Sequence, residues 1–154
     1  MNGTDDLREQ LRGDPMDQDE IDAFLTEQGI GVLSLADGGD AYGLPMSFGY
    51  DGDRLYFILV QFGEESTKLD FTETTETASF TTYDFADEHD WRSVLVSGTI
   101  EPVPEADLDS VTETLQDNAQ FASLFPFGEP MTDRPRYQLV PETMTGQKGQ
   151  GVED

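Results

Sequence analysis

Residues 31–60 read GVLSLADGGDAYGLPMSFGYDGDRLYFILV, and that stretch predicts three strands joined by two tight turns. Gly31–Ala36 is a short apolar strand. Asp37-Gly38-Gly39-Asp40 is a turn, because glycine reaches the backbone angles that close a hairpin. In the strand 41–50, Tyr42, Leu44, Met46, Phe48 and Tyr50 recur at period two and so share one face. Pro45 cannot donate to a ladder, which places it at an edge, at a bulge or opposite a ligand. Asp51-Gly52 is a second hairpin turn. Residues 54–60 are apolar almost throughout, as in a strand buried on both faces.

Outward from this core, Asp17 and Glu20 stand three apart like a capping box, and Ile21, Phe24 and Leu25 follow at helical spacing. Gly29 sits where a helix would stop. On the other side, Ser66 opens a short predicted helix. ASFTTYDF (78–85) and WRSVLVSGTIEPV (91–103) are strands, and Pro104 begins a helix whose apolar face is Leu108, Val111 and Leu115. Residues 119–133 form an apolar loop or broken helix, and 134–144 a last strand. The pattern predicts a mainly β protein: six antiparallel strands in a small barrel with peripheral helices. Residues 1–16 are expected as a flexible acidic arm, 17–146 as the domain, and 147–154 as a flexible tail.

The chain has 154 residues, with 33 acidic side chains against 8 Lys and Arg, a net charge of −25. No basic stripe exists to neutralise nucleic-acid phosphates or to meet an anionic membrane. Aromatic residues reach 10%, which separates the chain from disordered acidic sequences. Lysine occurs only at Lys68 and Lys148. Acid-rich, lysine-poor surfaces fit a protein that works in concentrated salt, where screening shortens the range of self-repulsion. This is the expectation for a halophile. Cysteine is absent, so thiolate metal sites and disulfides are excluded. The N-terminus MNGTDDLREQ is too polar for a signal peptide and no apolar run is long enough for a membrane span, so a cytoplasmic location is expected.

Familiar catalytic patterns are missing. His89 is the sole histidine and lies in the acidic run Asp87-Glu88-His89-Asp90, an exposed loop. Two features carry chemistry. Ser66-Thr67-Lys68 puts two hydroxyls and a rare lysine at a helix start, where free N–H groups favour an anion such as phosphate. On local grounds Lys68 equally well pairs with Glu64, Glu65 or Asp70. Trp91-Arg92-Ser93 begins a strand after a loop and offers a ring and a guanidinium to a site rim, or else places Trp91 in a core or interface.

In order and spacing, several segments resemble the pyridoxamine 5′-phosphate oxidase-related FMN-binding split-barrel family, in particular its nitroimidazole-resistance subgroup. They are the Gly31 strand, PMSFGYDGD (45–53), Tyr56-Phe57, the hydroxyl-lysine helix start, WRSVLVSG (91–98) and ETMTG (142–146). The resemblance spans about residues 17–146. It implies an FMN-binding split barrel and a homodimer with FMN at the interface. It also implies an oxidoreductase passing hydride through flavin N5 to or from a small molecule. It places Pro45, Met46 and Ser47 along the flavin ring edge, with Phe57, Ile58 and Leu59 on the strand beside it. Ser66, Thr67 and Lys68 then hold the phosphate, and Trp91, Arg92 and Ser93 approach the flavin. Thr67 stands where the family more often has Arg, and the oxidase's arginine and histidine for pyridoxal phosphate have no clear counterpart. The same fold also serves non-catalytic flavin- or haem-binding modules and reductases that use the deazaflavin F420.

Overall fold

In the computed structural model, which describes residues 13–58, 75–118 and 136–152, Asp17 caps a helix as its spacing predicts. The Asp17 carboxylate accepts from the Glu20 N–H at 2.9 Å and the Glu20 carboxylate from the Asp17 N–H at 3.3 Å. This helix, α1 (Gln18–Gln28), ends at Gly29, whose φ of 71° is the left-handed stop that glycine adopts without strain. Ile21, Phe24 and Leu25 are its buried face.

The strands are β1 (Asp14–Pro15), β2 (Ile30–Asp37), β3 (Asp40–Ser47), β4 (Gly49–Tyr50), β5 (Leu55–Ile58), β6 (Ala78–Asp87), β7 (Asp90–Pro102) and β8 (Arg136–Lys148). They form one antiparallel sheet in the order β3-β2-β6-β7-β8-β5-β4, with β1 added to the end of β8. Eight strands replace the expected six for two reasons. The short β1 joins the sheet, and the strand expected over 41–50 divides at Phe48.

That division rolls the sheet. β3 and β4 occupy opposite ends of the strand order, yet Phe48 alone separates them in the chain. Laid flat, the two edges would be about 29 Å apart at ~4.8 Å per strand, and one residue spans only about 3.5 Å. The sheet therefore curls until its edges meet. The Phe48 N–H donates to the Gly29 carbonyl at 2.9 Å at the join. The predicted face survives the break: Leu44, Met46, Phe48 and Tyr50 all enter the main core, with Tyr42 packed against it. Pro45 lies on an edge strand, where its missing N–H breaks no ladder.

Phe48 and Phe57 pack on Phe80 at the centre, with ring centroids 4.6 and 5.3 Å apart. β5 is buried on both faces, as its composition predicts. Leu55 and Phe57 point into the barrel, while Tyr56 and Ile58 lie under Val111 and Leu115 of the second helix, α2 (Leu108–Asn118). Pro104 precedes a single 3-10 turn, Glu105–Asp107, that leads into α2. The Tyr50 and Tyr56 phenols donate to Asp22 and Asp51, each at 2.6 Å. Burial first, then these carboxylates, push both phenol pKa values well above the ordinary range.

The termini differ from expectation. β8 runs past 146 to Lys148, and Asp14 and Pro15 pair with Lys148 and Gln147. Residues 14–15 and 147–148 thus belong to the sheet. Lys148 is buried and its ammonium contacts the Glu20 carboxylate at 2.5 Å, tying the last strand to the cap of α1. Removing one partner strands a charge in a mostly desolvated position. Lys148→Ala should therefore lower stability by about 2 kcal/mol, and the double variant Glu20→Gln with Lys148→Met should recover most of that loss. Urea titration followed by circular dichroism checks both.

Candidate functional site

Strand register decides which side chains share a surface. Val32 lies between Pro45 and Thr81, and Thr81 opposite Leu95. Ile30 pairs with Ser47, Tyr83 with Ser93, and Phe85 with Trp91. All these residues project from the outer side of the sheet, because their neighbours Leu33, Leu44, Phe80, Val94 and Val96 fill the inside. The result is an open apolar face carrying Ile30, Val32, Tyr83, Phe85 and Leu95. Tyr83 and Phe85 are 67% and 64% exposed, far more than large aromatic residues normally are.

Two hollows mark this face. A groove of about 470 Å³ is bordered by Ile30, Val32, Pro45, Thr81, Tyr83 and Phe85, among others. A slot of about 230 Å³ adjoins it through Tyr83, Asp84 and Phe85 and is completed by Trp91, Arg92 and Ser93. The groove falls within the usual size range of small-molecule sites.

The expected site residues differ in where their side chains lie. Pro45, Trp91 and Ser93 lie on the outer face, with Ser47 buried beside Ile30. Met46 faces the core, Phe57 fills the barrel centre and Ile58 lies under α2. The side chains of Met46, Phe57 and Ile58 are therefore packing residues, and only their backbone can meet a ligand. Arg92 has the opposite strand parity from Trp91 and Ser93. It stands between Asp84 and Lys148 in the ladder, and it borders both the slot and a hollow with Asp17, Asp19, Glu20 and Glu27 along α1. Leu59, Ser66, Thr67 and Lys68 lie outside the described residues.

The sequence reading overlooked Ile30, Val32, Tyr83, Phe85 and Leu95. A signal marks two of them: Val32 and Leu33 are both large and apolar, as are Leu95 and its neighbours Val94 and Val96, so both faces of these strands needed cover. His89 lies at the β6–β7 turn, exposed and 3.4 Å from Glu88, as its acidic surroundings predict. Among the described residues no cluster of His, Cys, Asp or Glu is placed to hold a metal, and no helix is long and apolar enough to cross a membrane.

The pyridoxamine 5′-phosphate oxidase family profile matches residues 17–148. The chain belongs to that family. Solved structures with the same fold include an FAD-binding protein from Mycobacterium smegmatis, at 20% identity and a TM-score of 0.65, covering 90% of this chain and 99% of that one. An FAD-binding protein from Mesorhizobium loti superposes with a TM-score of 0.70 at 18% identity, over 86% of this chain and 94% of that one. An FAD- and haem-binding protein from Mycobacterium smegmatis gives 0.64 at 17%, over 90% and 74%. Among curated protein sequences none matches. Within the pyridoxamine 5′-phosphate oxidase family, this member carries an antiparallel split barrel whose outer face is unusually apolar for a protein of charge −25.

Proposed function

We propose that this protein binds a flavin, FMN in particular, in the groove on the outer face of the sheet and works as an oxidoreductase on a small molecule. The observation that carries this reading is the groove itself: a hollow of about 470 Å³ in which Ile30, Val32, Pro45, Tyr83 and Phe85 stand beside the polar Gln28, Thr81, Thr82 and Asp84, on the surface of a strongly acidic family member. It fits a flat tricyclic ring. Val32 and Ile30 supply its floor, Pro45 one side, and Tyr83 and Phe85 the other. The phosphate is assigned to Ser66, Thr67 and Lys68 on the predicted helix start and the family resemblance, with Arg92 bordering the adjoining slot.

A bound flavin supplies hydride transfer at its ring. The chain's own residues orient the ring and keep water from it. Ile30, Val32 and Pro45 exclude solvent below the ring, and Tyr83 and Phe85 border its open side. A second copy of the chain is proposed to cover the rest of the apolar face, because exposed patches of this kind mark interfaces. The acidic surface supports a working environment of concentrated salt.

Protein purified in concentrated salt should be yellow, with absorbance bands near the flavin positions. Heat-released chromophore should run as FMN on chromatography, and the protein should sediment as a dimer. A haem spectrum or a deazaflavin would replace the cofactor assignment, and a colourless protein that takes up no FMN would overturn the reading. Bleaching by NADPH and recovery with an acceptor would separate an enzyme from a non-catalytic binder.

A further inference from the structure

We propose that Met144 is a modification site: hydrogen peroxide oxidises its thioether to the sulfoxide, and Gln18 of α1 holds the sulfoxide oxygen. The proposal does not depend on what occupies the groove on the outer face of the sheet.

Access singles this methionine out. Met144 stands opposite Val96 in the β7–β8 ladder and packs, partly buried, against the main core. It also borders a separate hollow of about 330 Å³ at the first turns of α1, walled by Gln18, Asp22, Tyr50, Asp53 and Glu142 among others. The other two described methionines, Met16 and Met46, are 8% and 7% exposed and belong to the main core. Oxidation of a thioether follows its exposure, so of these three sulfurs Met144 is the one that a small oxidant in water reaches.

A donor is already aimed at the sulfur. Gln18 Nε2 donates to the Asp22 carboxylate at 2.8 Å and to Met144 Sδ at 3.4 Å, one bond from each of its two hydrogens. Asp22 is fixed in turn by the Tyr50 phenol, which donates to it at 2.6 Å, and the Tyr50 Oη lies 4.0 Å from the same sulfur. A thioether is only a weak acceptor. Its sulfoxide is polar, and such a product ordinarily disrupts the core that held the methionine. Here the new oxygen forms at the edge of the core, beside an amide that gains a stronger acceptor than it had.

Charge and size fit the oxidant. Asp22, Asp53 and Glu142 border the hollow, with no lysine or arginine among the described residues that line it, so a small neutral peroxide enters where an anion is repelled. In the step, a lone pair of Met144 Sδ attacks one peroxide oxygen and the O–O bond breaks. The departing oxygen takes the proton of the transferred one and leaves as water. The sulfur is oxidised by two electrons and the peroxide reduced by two. Methionine sulfoxide reductases reverse this change, so the modification is one that a cell can undo.

The full-length protein is treated with hydrogen peroxide in concentrated salt, and oxidation is followed by peptide mass mapping. Met144 should gain one oxygen about tenfold faster than Met16 or Met46. Equal rates, or either buried methionine reacting first, would overturn the site. Thermal melts before and after treatment then test the seat of the sulfoxide. Oxidised wild type should melt within about 2 °C of the reduced protein, and oxidation of Gln18→Ala should cost about 3 °C more than oxidation of the wild type. Each variant is read against its own reduced form, which removes any effect of the substitution on the fold itself. The same oxidation cost with and without the Gln18 amide would overturn its role. Met144→Leu should show no shift in melting at the peroxide dose that converts Met144, and a shift there would place the effect on another residue and overturn the proposal.

Discussion

Lys68→Ala should strip the flavin from the purified protein and raise its Kd for FMN by about a hundredfold or more, a loss of roughly 3 kcal/mol. The structure sharpens this prediction by accounting for other cations. Lys148 is buried against Glu20. Arg54 sits 3.4 Å from Asp53 in the β4–β5 turn. Arg92 shares a hollow with Asp17, Asp19, Glu20 and Glu27 along α1. Arg136 is buried at the start of β8, where desolvation pulls its pKa down. Arg92 also borders the slot beside the groove, so the choice of Lys68 rests on the sequence: it alone among the cations follows two hydroxyls at a predicted helix start. Flavin remaining after gel filtration and quenching of FMN fluorescence on titration measure the effect. Lys68→Arg should retain binding, and the melting temperature of the apoprotein should be unchanged by either substitution. Wild-type affinity in Lys68→Ala would move the phosphate to another cation.

Gly98→Ala should lower stability by about 3 kcal/mol and the melting temperature by roughly 10 °C. Gly98 marks the bulge where the β7–β8 register shifts, from Ser97 opposite Thr143 to Gly98 opposite Pro141. A Cβ there would overlap the Val140 carbonyl oxygen and lie 2.9 Å from its carbon and 3.0 Å from the Pro141 Cα. All three are backbone atoms in a paired strand, so none can swing aside. Gly146→Ala should cost less, because two of the three atoms its Cβ would meet, Ile21 Cγ1 and Met16 Sδ, lie beyond rotatable bonds, and only the Met16 Cβ at 3.0 Å is fixed by the backbone. Gly43→Ala should change stability by under ~0.5 kcal/mol, as ordinary contact distances allow. Thermal melts of the three variants in the same concentrated salt rank them, and a Gly98→Ala melt within error of the wild type would refute the clash.

The elements legible in the sequence are those whose signals are local. Asp17 and Glu20 mark a helix start because a cap is made within four residues. Asp37–Asp40 and Asp51-Gly52 mark turns because glycine angles are needed there. The division of β3 from β4 at Phe48 is not legible, since the period-two pattern runs unbroken from Tyr42 to Tyr50. Partner choice by the two halves decides that break, and partners lie far away in sequence. The same applies to Lys148, which looks like part of a charged tail until β1 and α1 close over it. In the candidate site, Pro45, Trp91 and Ser93 are legible because a proline in a strand and a lone tryptophan are unusual. Tyr83 and Phe85 are hidden, because TTYDF describes any half-exposed strand.

By itself, the sequence determined an antiparallel β protein with peripheral helices, its turn positions, its helix cap and its acidic surface, because each depends on neighbouring residues or on composition. Only the tertiary structure decided what stands beside what. Rolling the sheet turned Met46, Phe57 and Ile58 inward or under α2, and register gathered Ile30, Val32, Pro45, Tyr83 and Phe85 from three strands onto one outer face. A strand's pattern gives its two faces without saying which one meets the core. Hydrogen-bond register with distant strands and the burial it permits make that choice.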